Sequence, residues 1–67
     1  TYQEKQEWAS IESDIEALEN RISVIEEEMQ ANGSDFGKLA TLQKELDEKN
    51  EVLLEKYERY EYLSELV

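Results

Sequence analysis

The sequence predicts an all-α fold, specifically a two-helix antiparallel coiled-coil hairpin. Three observations predict it: heptad spacing of apolar residues in each half of the chain, a short Asn-Gly break between the halves, and a composition with 37% charged residues, two glycines and no proline. A seven-residue repeat of apolar positions keeps one stripe of a helix facing a partner helix. Because the break is short, the partner of the first helix is the second helix.

The first helix is predicted from about residue 2 to about residue 31. Its apolar residues follow alternating steps of three and four, which is the spacing of a coiled-coil seam. They are Trp8, Ile11, Ile15, Leu18, Ile22, Ile25 and Met29. Asn32 and Gly33 are expected to end the helix, since glycine adopts the left-handed conformation that closes a helix at little steric cost.

The hinge is predicted over residues 32–35, where Ser34 or Asp35 supplies an oxygen that caps the second helix. The second helix is predicted from about residue 36 to about residue 65. Its predicted seam consists of Leu39, Leu42, Leu46, Asn50, Leu53, Tyr57, Tyr60, Ser64 and Val67. Two consecutive steps of four around Leu46 and Asn50 predict a stutter, at which the supercoil relaxes locally.

Folding the second helix back aligns the two seams. This register places Ile15 opposite Leu53 and Trp8 opposite Tyr60, in a rod about 45 Å long. Charged residues beside the seam fit the same register, and three interhelical pairs are predicted: Glu28 with Lys38, Arg21 with Glu45, and Asp14 with Lys56. The opposite flank is predicted to be mostly anionic, with Glu12, Glu19, Glu26 and Glu61.

The composition bounds the function. The formal net charge is −11, which repels nucleic acid and anionic lipid at long range, so contact with a phosphate backbone would need a local basic patch. The chain has no Cys and no His, so it lacks thiolate and imidazole ligands and the usual nucleophile and base pairs. It also has no Gly-rich phosphate loop and no run long enough for a membrane span. We therefore expect no catalytic, cofactor-binding or metal-binding residues and no membrane partner.

A few side chains are candidates for contact with a partner. Four basic residues line one side of the second helix: Lys38, Lys49, Lys56 and Arg59. They are interpreted either as a strip that contacts a phosphate backbone or as ion-pair partners for carboxylates across the seam. Tyr62 lies off the seam and is a candidate for an exposed contact. Asn50, at a seam position, is interpreted as a residue that fixes the register.

With the hairpin in place, four segments carry a resemblance that covers nearly the whole chain. They are TYQEKQE at residues 1–7, IE-x-x-IEALE at residues 11–19, NGSDF at residues 32–36 and LLEKYERYEYL at residues 53–63. In these segments the chain resembles the C-terminal coiled-coil domain of the Uup-type ABC-F ATPases, within the ABC transporter C-terminal domain family. Tyr60 stands where the family pattern has its closing Trp.

The resemblance implies a role. ABC-F ATPases carry two cytoplasmic ATP-binding cassettes without membrane spans, act on ribosomes as translation factors and end in such a hairpin. The chain, which does not begin with Met, is then expected to be the non-catalytic arm of a larger ATPase, contacting the ribosome or the parent's cassettes. ATP and Mg would be bound in those cassettes, and no residue here inherits that role.

Two alternatives stay open. Some members of the family bind DNA through this hairpin, which would use the four basic residues, although the net charge and Tyr60 depart from such a version. The second alternative is a homodimerisation hairpin, in which two copies pack through apolar residues beside the predicted seam. These residues are Val24, Leu54 and Leu63. We accordingly expect a monomer or a weak homodimer.

Overall fold

The structure, a computed structural model, describes residues 1–66. Two helices, α1 (Tyr2–Ala31) and α2 (Phe36–Leu66), pack antiparallel in a rod of 49 × 15 × 15 Å. No strand is present within these residues. The predicted all-α hairpin is confirmed, and its two helices begin and end close to the predicted residues.

A capping box starts α1. The Thr1 hydroxyl accepts a hydrogen bond from the backbone N–H of Glu4 at 3.2 Å, and the Glu4 carboxylate accepts one from the Thr1 amino group at 3.0 Å. These two bonds satisfy donors that the first turn of a helix leaves unpaired. The polar opening of the chain is therefore the first turn of α1.

The end of α1 depends on Asn32. Its backbone N–H and its side-chain Nδ2 both donate to the Glu28 carbonyl, at 3.0 and 2.7 Å. Neither glycine has a positive φ, so the predicted left-handed Gly33 is wrong. The Asn32 amide satisfies the terminal carbonyl that a left-handed glycine turn would otherwise satisfy.

Asp35 caps α2. Its Oδ1 accepts the backbone N–H of Lys38 at 3.1 Å, which confirms Asp35 as one of the two predicted capping residues. The Asp35 carbonyl also accepts the N–H of Leu39 at 2.9 Å, the first helical bond. Phe36 follows directly and is 81% exposed at the tip of the rod.

The seam of α1 is the predicted one. Ile11, Ile15 and Ile25 are buried, and the other predicted seam residues are half-buried. Ile11 and Ile15 form one cluster with Leu63 near the chain ends, and Leu53 packs against it. The Trp8 and Tyr60 rings lie 5.1 Å apart at 32°, which confirms the predicted register.

The seam of α2 differs from the prediction. Asn50, Tyr57 and Ser64 are exposed, so they are not seam residues, and Asn50 does not fix the register. The residues that face α1 are instead Leu39, Leu42, Leu46, Lys49, Leu53, Lys56, Tyr60 and Leu63. Val67, the last predicted seam residue, lies outside the described residues.

The corrected seam alternates steps of three and four throughout, so the predicted stutter is wrong. Lys49 and Lys56 occupy heptad positions because a lysine lays its methylene chain along an apolar interface while its ammonium group stays in solvent. Apolar periodicity alone passes over such residues. It also missed Leu63, which is only 1% exposed.

Candidate interaction surfaces

One flank of the rod carries interhelical ion pairs, and we call it the paired flank. Three pairs join α1 to α2: Glu7 Oε2 to Arg59 Nε at 2.7 Å, Asp14 Oδ2 to Lys56 Nζ at 3.5 Å, and Glu45 Oε1 to an Arg21 guanidinium nitrogen at 2.6 Å. The α1 members of these pairs are seven residues apart, so they share one face of the helix. The predicted Asp14–Lys56 and Arg21–Glu45 pairs are confirmed, and the Glu7–Arg59 pair was not predicted.

The third predicted pair is not formed. Glu28 and Lys38 line the same surface groove near the hinge, but no ion pair joins them in the part of the chain that the structure describes. Both side chains are exposed. Solvent competes for each charge at such a site, and the gain from pairing is small.

Hydrogen bonds raise the pKa of both paired arginines. The bond from Arg21 to Glu45 raises the pKa of Arg21, and the bond from Arg59 to Glu7 does the same for Arg59. The same hydrogen bonds direct each guanidinium group at its partner on the other helix. Neither is a free cation for a phosphate group.

The four predicted basic contact residues differ in how they are engaged within the hairpin. Lys56 and Arg59 are engaged in the ion pairs with α1, and Lys49 is half-buried in the seam. Lys38 is exposed beside the hinge. Of the four, Lys38 is therefore the residue that is both exposed and outside these interhelical ion pairs.

Tyr62 also takes part in contacts within the hairpin. Its hydroxyl donates to Glu4 Oε2 at 2.9 Å, and the Arg59 guanidinium lies 4.7 Å from the centre of its ring. The hydrogen bond to Glu4 raises the pKa of Tyr62, while bonds from the amino terminus, Tyr62 and Thr1 lower the pKa of Glu4. Tyr62 is 45% exposed, so it also remains partly accessible to solvent.

The other flank is acidic, as the sequence indicates, and we call it the acidic flank. It consists of Glu12, Glu19, Glu26 and Glu61. All four are exposed, and within residues 1–66 none of them forms an ion pair. The two flanks of the rod therefore differ in charge compensation.

An apolar groove opens on the acidic flank. Its volume is about 260 Å³, and Glu12, Ile15, Tyr57 and Tyr60 line it; we call it the tyrosine groove. The Tyr60 hydroxyl donates to Glu12 Oε1 at 3.3 Å, while Tyr57 is 45% exposed. Partial burial, and then the charge of Glu19, raise the pKa of Tyr57.

Sequence reasoning missed this groove because it assigned Tyr57 to the seam. A heptad pattern continued without a stutter would have found the groove. That pattern assigns Lys56 to the seam, and the next residue, Tyr57, then lies on the flank. Leu54, one turn before Tyr57 on α2, is 59% exposed. An exposed apolar side chain thus lies next to the groove on this otherwise acidic flank.

No group of three or more acidic, His or Cys side chains is placed to hold a metal ion within residues 1–66. Over the same range, neither helix has the length and apolar character needed to cross a membrane.

A sequence model of the ABC transporter C-terminal domain matches residues 1–65. The chain belongs to this family. The match confirms the resemblance found in the sequence, and it covers both helices and the hinge. No curated protein and no solved structure matches the chain. The family is a small C-terminal domain of ABC ATPases, distinct from their catalytic cassette.

Proposed function

We propose that this hairpin is the non-catalytic C-terminal arm of a cytoplasmic ABC-F ATPase and that it contacts the ribosome or the parent's own cassettes during translation. The observation that carries the proposal is the family match over residues 1–65. The resemblance of its opening and its Tyr-Glu-Arg-Tyr segment to the ABC-F hairpins supports the narrower assignment.

The shape supports an arm. The seam runs without interruption along both helices, and interhelical contacts occur from Trp8–Tyr60 near the chain ends to the buried Ile25 and Leu42 nearer the hinge. Knobs-into-holes packing along such a length resists bending. A stiff rod of 49 Å holds its tip at a set distance from the domain that carries it.

Removal of this segment from the parent ATPase tests the proposal. We expect ribosome-stimulated ATP hydrolysis and ribosome occupancy to fall, while basal hydrolysis by the cassettes persists, since the ATP sites would lie outside the hairpin. Unchanged stimulation and unchanged occupancy would contradict the arm role.

A shortened arm tests whether reach matters. Deleting residues 19–25 together with residues 43–49 removes one heptad from each helix, preserves both seams and shortens the rod by about 10 Å. We expect a helical hairpin by circular dichroism, with ribosome-stimulated hydrolysis reduced as in the full deletion. Full activity in the shortened protein would show that its length is not used.

Nucleic-acid binding is the alternative that the exposed Lys38 favours. Titration of duplex and single-stranded DNA at two salt concentrations tests it. A salt-sensitive affinity that falls when Lys38, Lys49, Lys56 and Arg59 are changed to Gln would support this alternative. The ion pairs of Lys56 and Arg59 weigh against it, because both would have to break.

A further inference from the structure

We propose that the tyrosine groove binds an arginine or lysine side chain from a basic protein segment. The proposal rests on the groove's lining and on the charge of the acidic flank. It does not require the arm role, and its test uses the 67-residue chain alone.

The lining suits a cation on an apolar stem. Its lining combines two aromatic rings, Tyr57 and Tyr60, with the apolar Ile15 and the carboxylate of Glu12, while the Tyr60 ring also packs against Trp8. A guanidinium or ammonium group is attracted to the negative face of an aromatic ring and to a carboxylate at once. The methylene groups of an arginine or lysine side chain pack against apolar walls such as Ile15.

The charge of the flank selects a basic partner. Three carboxylates on the paired flank are matched by Arg21, Lys56 and Arg59, whereas the four glutamates of the acidic flank have no such partners within the described residues. Their mutual repulsion is relieved when cations approach, and their field speeds the encounter. Three of them lie seven residues apart on α1, at Glu12, Glu19 and Glu26, so a segment with repeated cations meets repeated carboxylates.

Other occupants fit less well. A nucleic-acid backbone carries the same sign of charge as this flank, and so does a second copy of the chain, whose net charge is also −11. A purely apolar partner would leave Glu12 and its neighbours without compensation. The basic protein segment is the occupant that satisfies both the rings and the carboxylates.

The test is a titration of the chain with a synthetic peptide of three arginines separated by Gly-Gly. A control peptide carries citrulline in place of arginine, which keeps the shape and removes the charge. We expect saturable binding of the arginine peptide by calorimetry, no binding of the citrulline peptide, and NMR shift changes centred on Glu12, Ile15, Tyr57 and Tyr60.

Two tyrosines of equal exposure give a matched comparison. Tyr57 and Tyr62 are both 45% exposed and both on α2, but Tyr62 contacts Glu4 and Arg59 outside the groove. We expect Tyr57→Ala to weaken peptide binding about two- to fivefold, as loss of a cation–π contact at an exposed site does, and Tyr62→Ala to leave it unchanged. Circular dichroism checks that both variants remain helical.

Two glutamate variants distinguish binding in the groove from general electrostatic attraction to an acidic chain. Glu12→Gln and Glu27→Gln change the net charge equally, but only Glu12 lines the groove. We expect Glu12→Gln to weaken binding more than Glu27→Gln does. Equal effects of the two glutamate variants, or of the two tyrosine variants, would overturn the proposal.

Three further results would overturn it. They are equal binding of the citrulline peptide, preferential binding of an RNA oligonucleotide over the arginine peptide, and a dimer in sedimentation that occupies Tyr57 in its interface.

Discussion

Asn32 does at the hinge what glycine does in many helical hairpins. Its side-chain and backbone N–H groups both reach the Glu28 carbonyl, so Gly33 needs no left-handed conformation. A Cβ placed on Gly33 would lie 3.7 Å from the Gln30 carbonyl oxygen, an ordinary contact. Glycine at this position therefore increases the conformational freedom of the unfolded chain, although the folded backbone does not require it.

We predict that Gly33→Ala raises the free energy of unfolding by about 0.4–1 kcal/mol, because alanine restricts the unfolded chain and fits the native backbone. Urea unfolding followed by circular dichroism measures it. Gly37→Ala is a companion variant within α2, where the added Cβ lies 3.6 Å from Asp35 Oδ1 and where we also expect stabilisation. A marked loss of stability in Gly33→Ala would show that the turn needs glycine.

Tyr57 and Tyr62 are predicted to make the hairpin sensitive to alkaline pH. The pKa of each is raised above its ordinary value of 10.0 in the folded chain, so folding favours the neutral phenols. This stabilisation is fully present below the unfolded pKa and is lost as the pH rises through the folded pKa.

Absorbance titration of tyrosinate in the native chain and in urea checks this prediction. We expect two tyrosines to ionise later in the native chain than in urea. A Tyr57→Phe, Tyr62→Phe double variant should lack the late-titrating groups and lose less stability above pH 10. Identical titrations in the native and urea-unfolded chains would refute it.

At the scale of the element, α2 combines a strict heptad with two seam lysines. The middle of the seam, around Leu18, Leu46 and Lys49, is only half-buried, whereas fully buried residues occur nearer both ends. Polar seam residues lower stability in exchange for a defined register and oligomeric state. Lys49 is placed to have this effect in the hairpin.

We predict that Lys49→Leu raises the free energy of unfolding by about 1 kcal/mol, since a leucine would bury more apolar surface at a half-buried seam position. Asn50→Leu is the matched control, because Asn50 is the next residue along but is exposed. We expect that control to change stability by no more than about 0.5 kcal/mol. The urea midpoints of the two variants give the comparison. A larger gain in stability from Asn50→Leu would contradict this assignment and would support the seam with a stutter at Asn50.

At the scale of the whole molecule, the two flanks divide the charge unevenly. Three ion pairs on the paired flank offset part of its charge within the hairpin, whereas the acidic flank leaves its glutamates facing solvent. A net charge of −11 on 67 residues opposes the compact state through self-repulsion.

We therefore predict that added salt stabilises the hairpin, because screening reduces this repulsion more than it weakens three exposed pairs. We expect the melting temperature to rise by roughly 5 °C between low and high NaCl, which corresponds to about 1 kcal/mol for a domain of this size. Changing Glu19 and Glu26 to Gln should reduce the rise. A fall in melting temperature with salt would mean that the ion pairs dominate.

The acidic flank was predictable from the sequence, and the tyrosine groove was not. Glutamates at Glu12, Glu19 and Glu26 recur every seven residues beside the α1 seam, and that spacing alone puts them on one face. The groove required the position of Tyr57, which apolar periodicity placed in the seam. Tyr62 and Arg59 were singled out correctly as surface residues, but their contacts with Glu4 and Glu7 join the two chain ends and are not visible in either helix alone.

By itself the sequence determined the hairpin, its register and the α1 seam. A heptad repeat of large apolar residues places the contact surface on one face of the helix. The short hinge makes the second helix of the same chain the partner for that face. Only the tertiary structure decided the seam of α2 and the roles of its flanking residues. The physical reason is that lysine and tyrosine each have an apolar body and a polar end, so either can lie in an interface or beside it. Packing against the facing helix decides between these positions: it leaves Lys49 and Lys56 half-buried in the seam and Tyr57 exposed on the flank.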